Sequence, residues 1–191
     1  METQSPEFRK HLDKYVTIND DEYQQLLNSF KFKRFKNHQI LVRENEYVHF
    51  TFWVKKGLIV SSFIDEKSRE HIIQFAIENC WITDQNAFYN KEKATFRLTC
   101  LEPTEVLELS YDAREKLCED IPVMSHFFRK KANDSFVKQQ KRLLTYLTSD
   151  AQTRYELLIS EYPSLSQRIS KMRLAAYLGV TRETLSRFGK Y

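Results

Sequence analysis

The segment TRETLSR, Thr181 to Arg187, brings together side chains that can recognise the edges of DNA bases. If it is a helix, its exposed face carries Arg182, Glu183, Ser186 and Arg187. Arginine can donate two hydrogen bonds to guanine O6 and N7, and glutamate can accept one from cytosine N4. Thr181 suits the N-cap, where its hydroxyl accepts a backbone N–H and the helix N-terminus favours a phosphate. This combination is typical of a helix that enters the major groove.

The residues just before this segment have the spacing of two short helices joined by a turn. Helices that cross near a right angle need a small residue where they touch, and the turn needs a residue that tolerates a left-handed backbone. Ala175 and Gly179 meet these two needs. Apolar residues that would fill the space between the helices are Leu174, Leu178, Val180, Leu185 and Phe188. The pattern predicts a helix-turn-helix, and the alternative is an ordinary amphipathic helical pair.

Positive charge is concentrated in the same region. From Arg168 to the end there are six basic residues and one acid, although the formal charge of the whole chain is only +4. Such a patch suits a polyanion, with nucleic acid first and an acidic membrane second, or it is simply a solvated face. We expect Lys171 and Arg173, together with Lys190, to contact phosphates.

The elements ahead of the tail indicate a β-rich domain with a helical entry. The residues NDD at 19–21 can cap a short helix whose apolar side carries Tyr23, Leu26, Leu27 and Phe30. From Phe32 to Leu109, short β-rich runs alternate with polar groups, which is the pattern of an antiparallel sandwich or roll. Gly57 allows a tight turn, which predicts a hairpin over 50–64.

A long helix is predicted from about Pro122 to Thr148, where the sequence runs on without Gly or Pro. Its apolar residues recur at threes, fours and sevens with one gap: Met124, Phe127, Phe128, Phe136, Leu143, Leu144 and Leu147. A helix of about 28 residues spans roughly 42 Å, more than the width of a domain of this size. We therefore expect part of it to project and to pair with a second copy. Residues 151–162 predict a further short helix that ends at Pro163.

Several classes of protein are disfavoured. The chain contains no apolar stretch near the roughly 18 residues of a membrane span and no signal sequence, so we expect a cytoplasmic protein without a membrane partner. Its three cysteines form no C-x-x-C pair, which favours reduced thiols over a disulfide framework or a metal cluster. No motif of known catalytic spacing appears, and the five histidines stand far apart. We expect no catalytic residues, no metal and no cofactor.

Taken together, these parts resemble one known family, the Crp/Fnr (catabolite activator) transcription regulators. The similarity rests on FTFWVKKGLIV and TCLEPTEVLELS in the β-rich block, on the long helix and on VTRETLSR, and it covers nearly the whole chain. It implies an α+β fold in three domains: an N-terminal antiparallel β jelly roll of cyclic-nucleotide-binding type with N-terminal helices (1–120), a connecting and dimerisation helix (121–149) and a helix-turn-helix (150–191). It also implies a homodimer on double-stranded DNA, with RNA polymerase as a candidate partner. The family's base-contacting positions match Arg182, Glu183 and Arg187.

The sequence departs from the family in two places. The family's effector cassette carries Gly-Glu early and Arg followed by Ser or Thr later, whereas the positions here are Thr83, Asp84, Lys93 and Ala94. A shorter acid, a lysine without arginine's bidentate geometry and a lost hydroxyl weaken a cyclic nucleotide site, so we expect no tight binding of cyclic AMP. Only four residues, 188–191, follow the polar part of the recognition helix, which resembles a shortened branch without the family's β-hairpin wing.

Two functions are compatible with the sequence. The first is a homodimeric, sequence-specific transcription regulator whose β-roll senses a small-molecule effector other than cyclic AMP, or none. The second is a small-molecule-binding β-roll whose basic tail docks a protein or a membrane without contacting DNA. Salt separates them, because DNA binding weakens steeply with salt and keeps a preference for one sequence.

Overall fold

The structure, a computed structural model, describes residues 5–188 and begins with two short helices. Helix α1 spans Pro6–Asp13 and helix α2 spans Asp20–Asn28. The predicted cap of α2 is confirmed, because the Asn19 side chain accepts from the Glu22 backbone and the Glu22 side chain accepts from the Asn19 backbone. This reciprocal pair fixes where the helix begins.

The β-rich block folds into two four-stranded sheets within residues 5–188. Its strands are β1 (Lys31–Phe35), β2 (Ile40–Val42), β3 (Phe50–Lys56), β4 (Ile59–Ile64), β5 (Glu70–Ala76), β6 (Trp81–Ile82), β7 (Arg97–Cys100) and β8 (Thr104–Ser110). The first sheet has the order β1-β8-β3-β6 and the second β2-β7-β4-β5. The pairs β1–β8, β3–β8, β3–β6 and β2–β7 are antiparallel, so the predicted antiparallel roll is confirmed.

The predicted hairpin over 50–64 is wrong. Strand β3 belongs to the first sheet and β4 to the second. Both edges of β3 are already occupied, since Trp53 pairs with Leu107 of β8 on one side and with Trp81 of β6 on the other. Gly57 does form a turn with φ of 108°, but this turn carries the chain from one sheet to the other.

The two central strands of the first sheet, β3 and β8, are buried on both faces. One face packs against the helices, with Phe8, Leu12, Trp53 and Phe127 among its fully buried side chains. The other face packs inside the roll in a separate cluster. The buried His11 belongs to the helical side, where its Nε2 accepts a hydrogen bond from the Trp81 indole at 3.2 Å. Burial lowers the pKa of His11 to about 4, so the imidazole is neutral at neutral pH.

The remaining helices are α3 (Gln85–Asn90), α4 (Tyr111–Asp120), α5 (Val123–Thr148), α6 (Ala151–Glu161), α7 (Leu165–Arg168), α8 (Lys171–Leu178) and α9 (Arg182–Phe188). The long helix and the helix within 151–162 are confirmed, with bounds within one residue of those expected. Helices α3 and α7 were not expected from the sequence. No helix among residues 5–188 is long and apolar enough to cross a membrane.

The chain forms two compact units. Of the described residues, one contains 5–61 together with Phe75–Ala132. The other contains Ser62–Gln74, which is the tip of the β4–β5 segment, and residues 133–188. The division into domains at 120/121 and 149/150 stays a prediction.

Replacing Gly57 by Ala should destabilise the protein by about 3 kcal/mol. A Cβ there would lie 2.5 Å from Thr104 Oγ1 and 2.8 Å from Thr104 Cα, and the backbone has a positive φ. The control is Gly179→Ala, whose Cβ would meet the Tyr146 side chain, with the hydroxyl at 3.2 Å and Cε2 at 3.4 Å, and which should cost about 1 kcal/mol. Urea denaturation measures both, and equal losses would show that Thr104 does not restrict position 57.

Candidate nucleic-acid interface and effector pocket

Helices α8 and α9 are joined by a short turn with well-defined caps. The Ser170 side chain accepts from the Arg173 backbone N–H at the start of α8. Gly179 ends α8 in the left-handed conformation, with φ of 70°, as the sequence predicted. The Thr184 backbone N–H donates to the Thr181 hydroxyl at 3.2 Å, which places Thr181 at the N-cap of α9. The turn residues therefore have the local roles expected for them.

The two helices share a small apolar core. Its buried members are Leu174, Ala175, Leu178 and Leu185. Val180 and Phe188 are half-buried, and the Phe188 ring lies 6.1 Å from the ring of Tyr155 in α6. Ala175 is only 3% exposed, so a larger side chain there would push the helices apart.

The residues expected to contact bases lie on the outer side of this pair. All five are exposed: Thr181, Arg182, Glu183, Ser186 and Arg187. The Ser186 hydroxyl donates to the Arg182 carbonyl at 2.9 Å. A backbone hydrogen bond and then one from the Thr181 hydroxyl lower the pKa of Glu183, which keeps it ionised and able to accept hydrogen bonds. The face thus presents two cations and one anion to solvent.

The residues expected to contact phosphates differ in their surroundings. Lys171 is exposed at the start of α8. Arg173 is half-buried, and its Nε lies 3.9 Å from a carboxylate oxygen of Glu70. Lys190 lies outside the described residues. The side chain of Arg173 therefore lies next to a negative charge, whereas that of Lys171 extends into solvent.

Two arginines that the sequence did not single out hold α8 in place. Arg154 donates to the carbonyls of Ser149 at 2.7 Å and Leu178 at 3.1 Å, and it lies 4.9 Å from the centre of the Tyr146 ring. The Leu178 carbonyl belongs to the last turn of α8, where carbonyls lack helical partners. Arg154 thus caps α8 from α6. Arg142 lies 4.2 Å from the centre of the Tyr177 ring in the same helix. No local pattern in the sequence marks either contact.

The residues at the expected effector pocket are engaged in internal hydrogen bonds. The Thr83 hydroxyl donates to the Phe50 carbonyl at 3.0 Å. Asp84 is only 1% exposed. One of its oxygens accepts from the Ala87 N–H at 3.2 Å, which caps α3, and the other accepts from the Thr95 N–H at 2.8 Å. The Asp84 carboxylate therefore stabilises the local backbone.

The second pair of expected pocket residues lies beside the first. Thr95, which donates to Asp84, directly follows Ala94. Ala94 is buried and its N–H donates to the Glu46 carbonyl at 2.8 Å. Lys93 is exposed and forms an antiparallel bridge with Tyr47. The fold thus brings Thr83-Asp84 and Lys93-Ala94 together, and their role toward a ligand stays a prediction.

Across residues 5–188, no group of three or more His, Cys, Asp or Glu side chains is arranged to hold a metal ion. The cysteines, Cys80, Cys100 and Cys118, are free thiols. The candidate sites consist of the exposed α9 face and the region around Asp84.

Comparison with known proteins identifies the β-rich block. Residues 32–120 match the family model of the cyclic nucleotide-binding domain. A search of curated protein sequences finds no match to the chain. The matched residues run from β1 to α4, so they include both sheets and the region around Asp84.

Solved structures share the fold along most of the chain. The c-di-GMP-responsive global regulator CLP of Xanthomonas campestris is 14% identical, with 89% of each chain covered and a TM-score of 0.71. FixK2 of Bradyrhizobium japonicum is 15% identical, with 83% of this chain and 82% of that chain covered and a TM-score of 0.73. A putative Crp/Fnr-family transcriptional regulator of Eubacterium rectale is 12% identical, with 98% and 86% covered and a TM-score of 0.70. The expected resemblance to Crp/Fnr regulators is confirmed at the level of the fold.

Replacing Asp84 by Ala should destabilise the protein by about 2 kcal/mol, because the N–H groups of Ala87 and Thr95 lose their acceptor. Asp84→Asn keeps an oxygen at the cap and should cost less. Denaturant unfolding without added ligand measures both. A loss below about 0.5 kcal/mol for Asp84→Ala would mean that the fold does not need this carboxylate.

Proposed function

We propose that this chain, whose residues 32–120 match the family model of the cyclic nucleotide-binding domain, is a homodimeric, sequence-specific DNA-binding transcription regulator. The observation that carries the proposal is the α8–α9 pair, which buries its small and apolar residues and exposes two arginines and a glutamate on α9. The regulators CLP and that of Eubacterium rectale, which share the fold, support it.

The exposed face of α9 has the chemistry for contacting base edges. Arg182 and Arg187 each offer a planar fork of donors that matches guanine O6 and N7, and the ionised Glu183 matches the amino group of cytosine. None of the three is buried, so DNA can approach them without unfolding the helix pair. In this proposal α9 is the recognition helix of a helix-turn-helix.

Helix α5 supplies the surface for a homodimer. Met124, Phe127 and Phe128 are buried at its start, but the apolar residues further along are exposed. Phe136 is 64% exposed and Leu147 is 72% exposed. With Leu143, they recur at intervals of seven and four residues and form a stripe that a second α5 can cover. A two-fold dimer would place two α9 helices on half-sites about 34 Å apart.

The β-roll is the sensor domain in this proposal, and its effector is not cyclic AMP. Both oxygens of Asp84 already accept backbone N–H groups. Because Asp84 is also buried, its carboxylate has little left to offer a ribose hydroxyl, which is the group that the family's acid holds. Lys93 offers a point charge without arginine's paired donors.

Replacing Arg182 or Arg187 by Ala should weaken binding to the best duplex by about 1 to 3 kcal/mol and blur the preference at one base pair. Thermal stability should hardly change, because both side chains are exposed. The best duplex is first selected from random DNA. Binding curves are then measured with this duplex and with a version that carries a mismatched base pair.

The matched control is Lys171→Ala, a change of the same charge on α8. It should weaken binding to both duplexes equally and lower the salt slope by roughly one unit. If Arg182→Ala and Arg187→Ala bind both duplexes like the parent protein, α9 does not contact bases. A basic tail that docks a protein or a membrane would then be the better account.

Leu143→Glu should split the dimer while leaving each protomer folded, because Leu143 is 59% exposed and lies on the apolar stripe. Sedimentation at roughly tens of micromolar protein should change from dimer to monomer. The control is Lys138→Gln, which changes the net charge by the same amount from the far side of α5, since five residues correspond to about 140° of rotation. A parent protein that sediments as a monomer contradicts the dimer.

A further inference from the structure

The tip of the β4–β5 segment contacts helix α8 within the second compact unit. Glu70 begins β5, and its carboxylate lies 3.9 Å from Nε of Arg173. Each of the two side chains is 27% exposed. The pair is thus partly shielded from solvent, where an attraction between charges is stronger than at a fully exposed site.

Arg142 of α5 holds the same strand next to α8. Its guanidinium donates to the carbonyls of Ile73 and, at 3.3 Å, of Ile72, both in β5. The same guanidinium lies 4.2 Å from the centre of the Tyr177 ring in α8. Arg142 therefore links β5 to α8 directly. Because Glu70 is two residues before Ile72 on the same strand, this link also keeps Glu70 close to α8.

The arginine in this pair is incompletely satisfied. Nε of Arg173 is buried, and no hydrogen-bond acceptor is in reach of it among the described residues. The nearest carboxylate oxygen, that of Glu70, supplies opposite charge at 3.9 Å without a hydrogen bond. A phosphate oxygen could supply both the charge and the short hydrogen bond, so DNA is a better partner for this guanidinium than Glu70.

We propose that Glu70 is an autoinhibitory residue, which competes with the DNA backbone for Arg173. The inference rests on the proposed function, since Arg173 lies on the first helix of the presumed DNA-binding pair. When Arg173 binds a DNA phosphate, it leaves Glu70. The free energy needed to separate this pair makes the binding free energy for DNA less favourable. The penalty is the same for every DNA sequence, because phosphates carry no sequence information.

The position of Glu70 gives this competition a regulatory meaning. Residues 70–73 lie at the start of β5, and β5 is a strand of the second sheet of the β-roll. A shift of β5 relative to α8 changes the distance between Glu70 and Arg173, and with it the availability of Arg173. Through Glu70, a conformational change in the sensor domain can thus change the affinity for DNA.

Glu70→Gln tests the inference, because it removes the competing charge and keeps the size of the side chain. Fluorescence anisotropy with the selected duplex should show binding roughly three- to fivefold tighter than for the parent protein, on matched and mismatched duplexes alike. The control is Glu66→Gln, an exposed acid four residues away that removes the same charge. It should change affinity much less. A variant that merely perturbed the fold would weaken binding, so a gain is diagnostic.

The second arm repeats Glu70→Gln in a protein that already carries Arg173→Ala. The gain should disappear there, because the residue for which Glu70 competes is gone. Equal affinities of Glu70→Gln and Glu66→Gln, or a gain that persists without Arg173, overturns the competition while the proposed function stands. If the parent protein binds neither duplex, the proposed function fails, and the competition fails with it.

Discussion

The first compact unit depends on a sheet whose two central strands, β3 and β8, are buried on both faces. Strand β8 lies in its interior between β1 and β3, and its side chains alternate between two cores. Leu107 and Leu109 pack against the helices, while Val106 packs inside the roll. A polar residue on such a strand is costly, and burial raises the pKa of Glu108 accordingly. Because both faces are needed, neither the helices nor the second sheet can be removed without exposing apolar surface.

In the second unit, arginines that stack on tyrosines orient the short helices. Arg142 with Tyr177 and Arg154 with Tyr146 each place a planar guanidinium against a ring and direct donors to backbone carbonyls. Arginine can do both at once because its donors lie in one plane, whereas lysine offers only a point charge. These contacts position α8, and through the turn at Gly179 they position the exposed face of α9.

Local signals were sufficient for much of the fold and for the caps and the turn of the α8–α9 pair. The caps at Asn19 and Thr181 and the turn at Gly179 depend on neighbouring residues, so the sequence shows them directly. The pairing of β3 depends on distant residues, because a run of alternating residues does not reveal which strand lies beside it. The contact between Glu70 and Arg173 spans about a hundred residues, and no spacing rule connects them. Likewise, the sequence predicted that Asp84 is a weakened ligand residue, and no local pattern marks the hydrogen bond that it accepts from Thr95, 11 residues away.

The buried His11 makes the stability of the fold depend on pH. Its pKa of about 4 in the folded protein lies below the ordinary value of 6.5, so between these values the unfolded chain binds the proton more tightly. The contribution of neutral His11 to the free energy of unfolding is therefore fully present above about pH 6.5. It declines as the pH falls toward 4, at up to about 1.4 kcal/mol per pH unit. Protonation would also deprive the Trp81 indole of its acceptor, since both ring nitrogens of a charged imidazole are donors. Acidification thus acts on the packing of α1 against the sheet, far in sequence from α8 and α9.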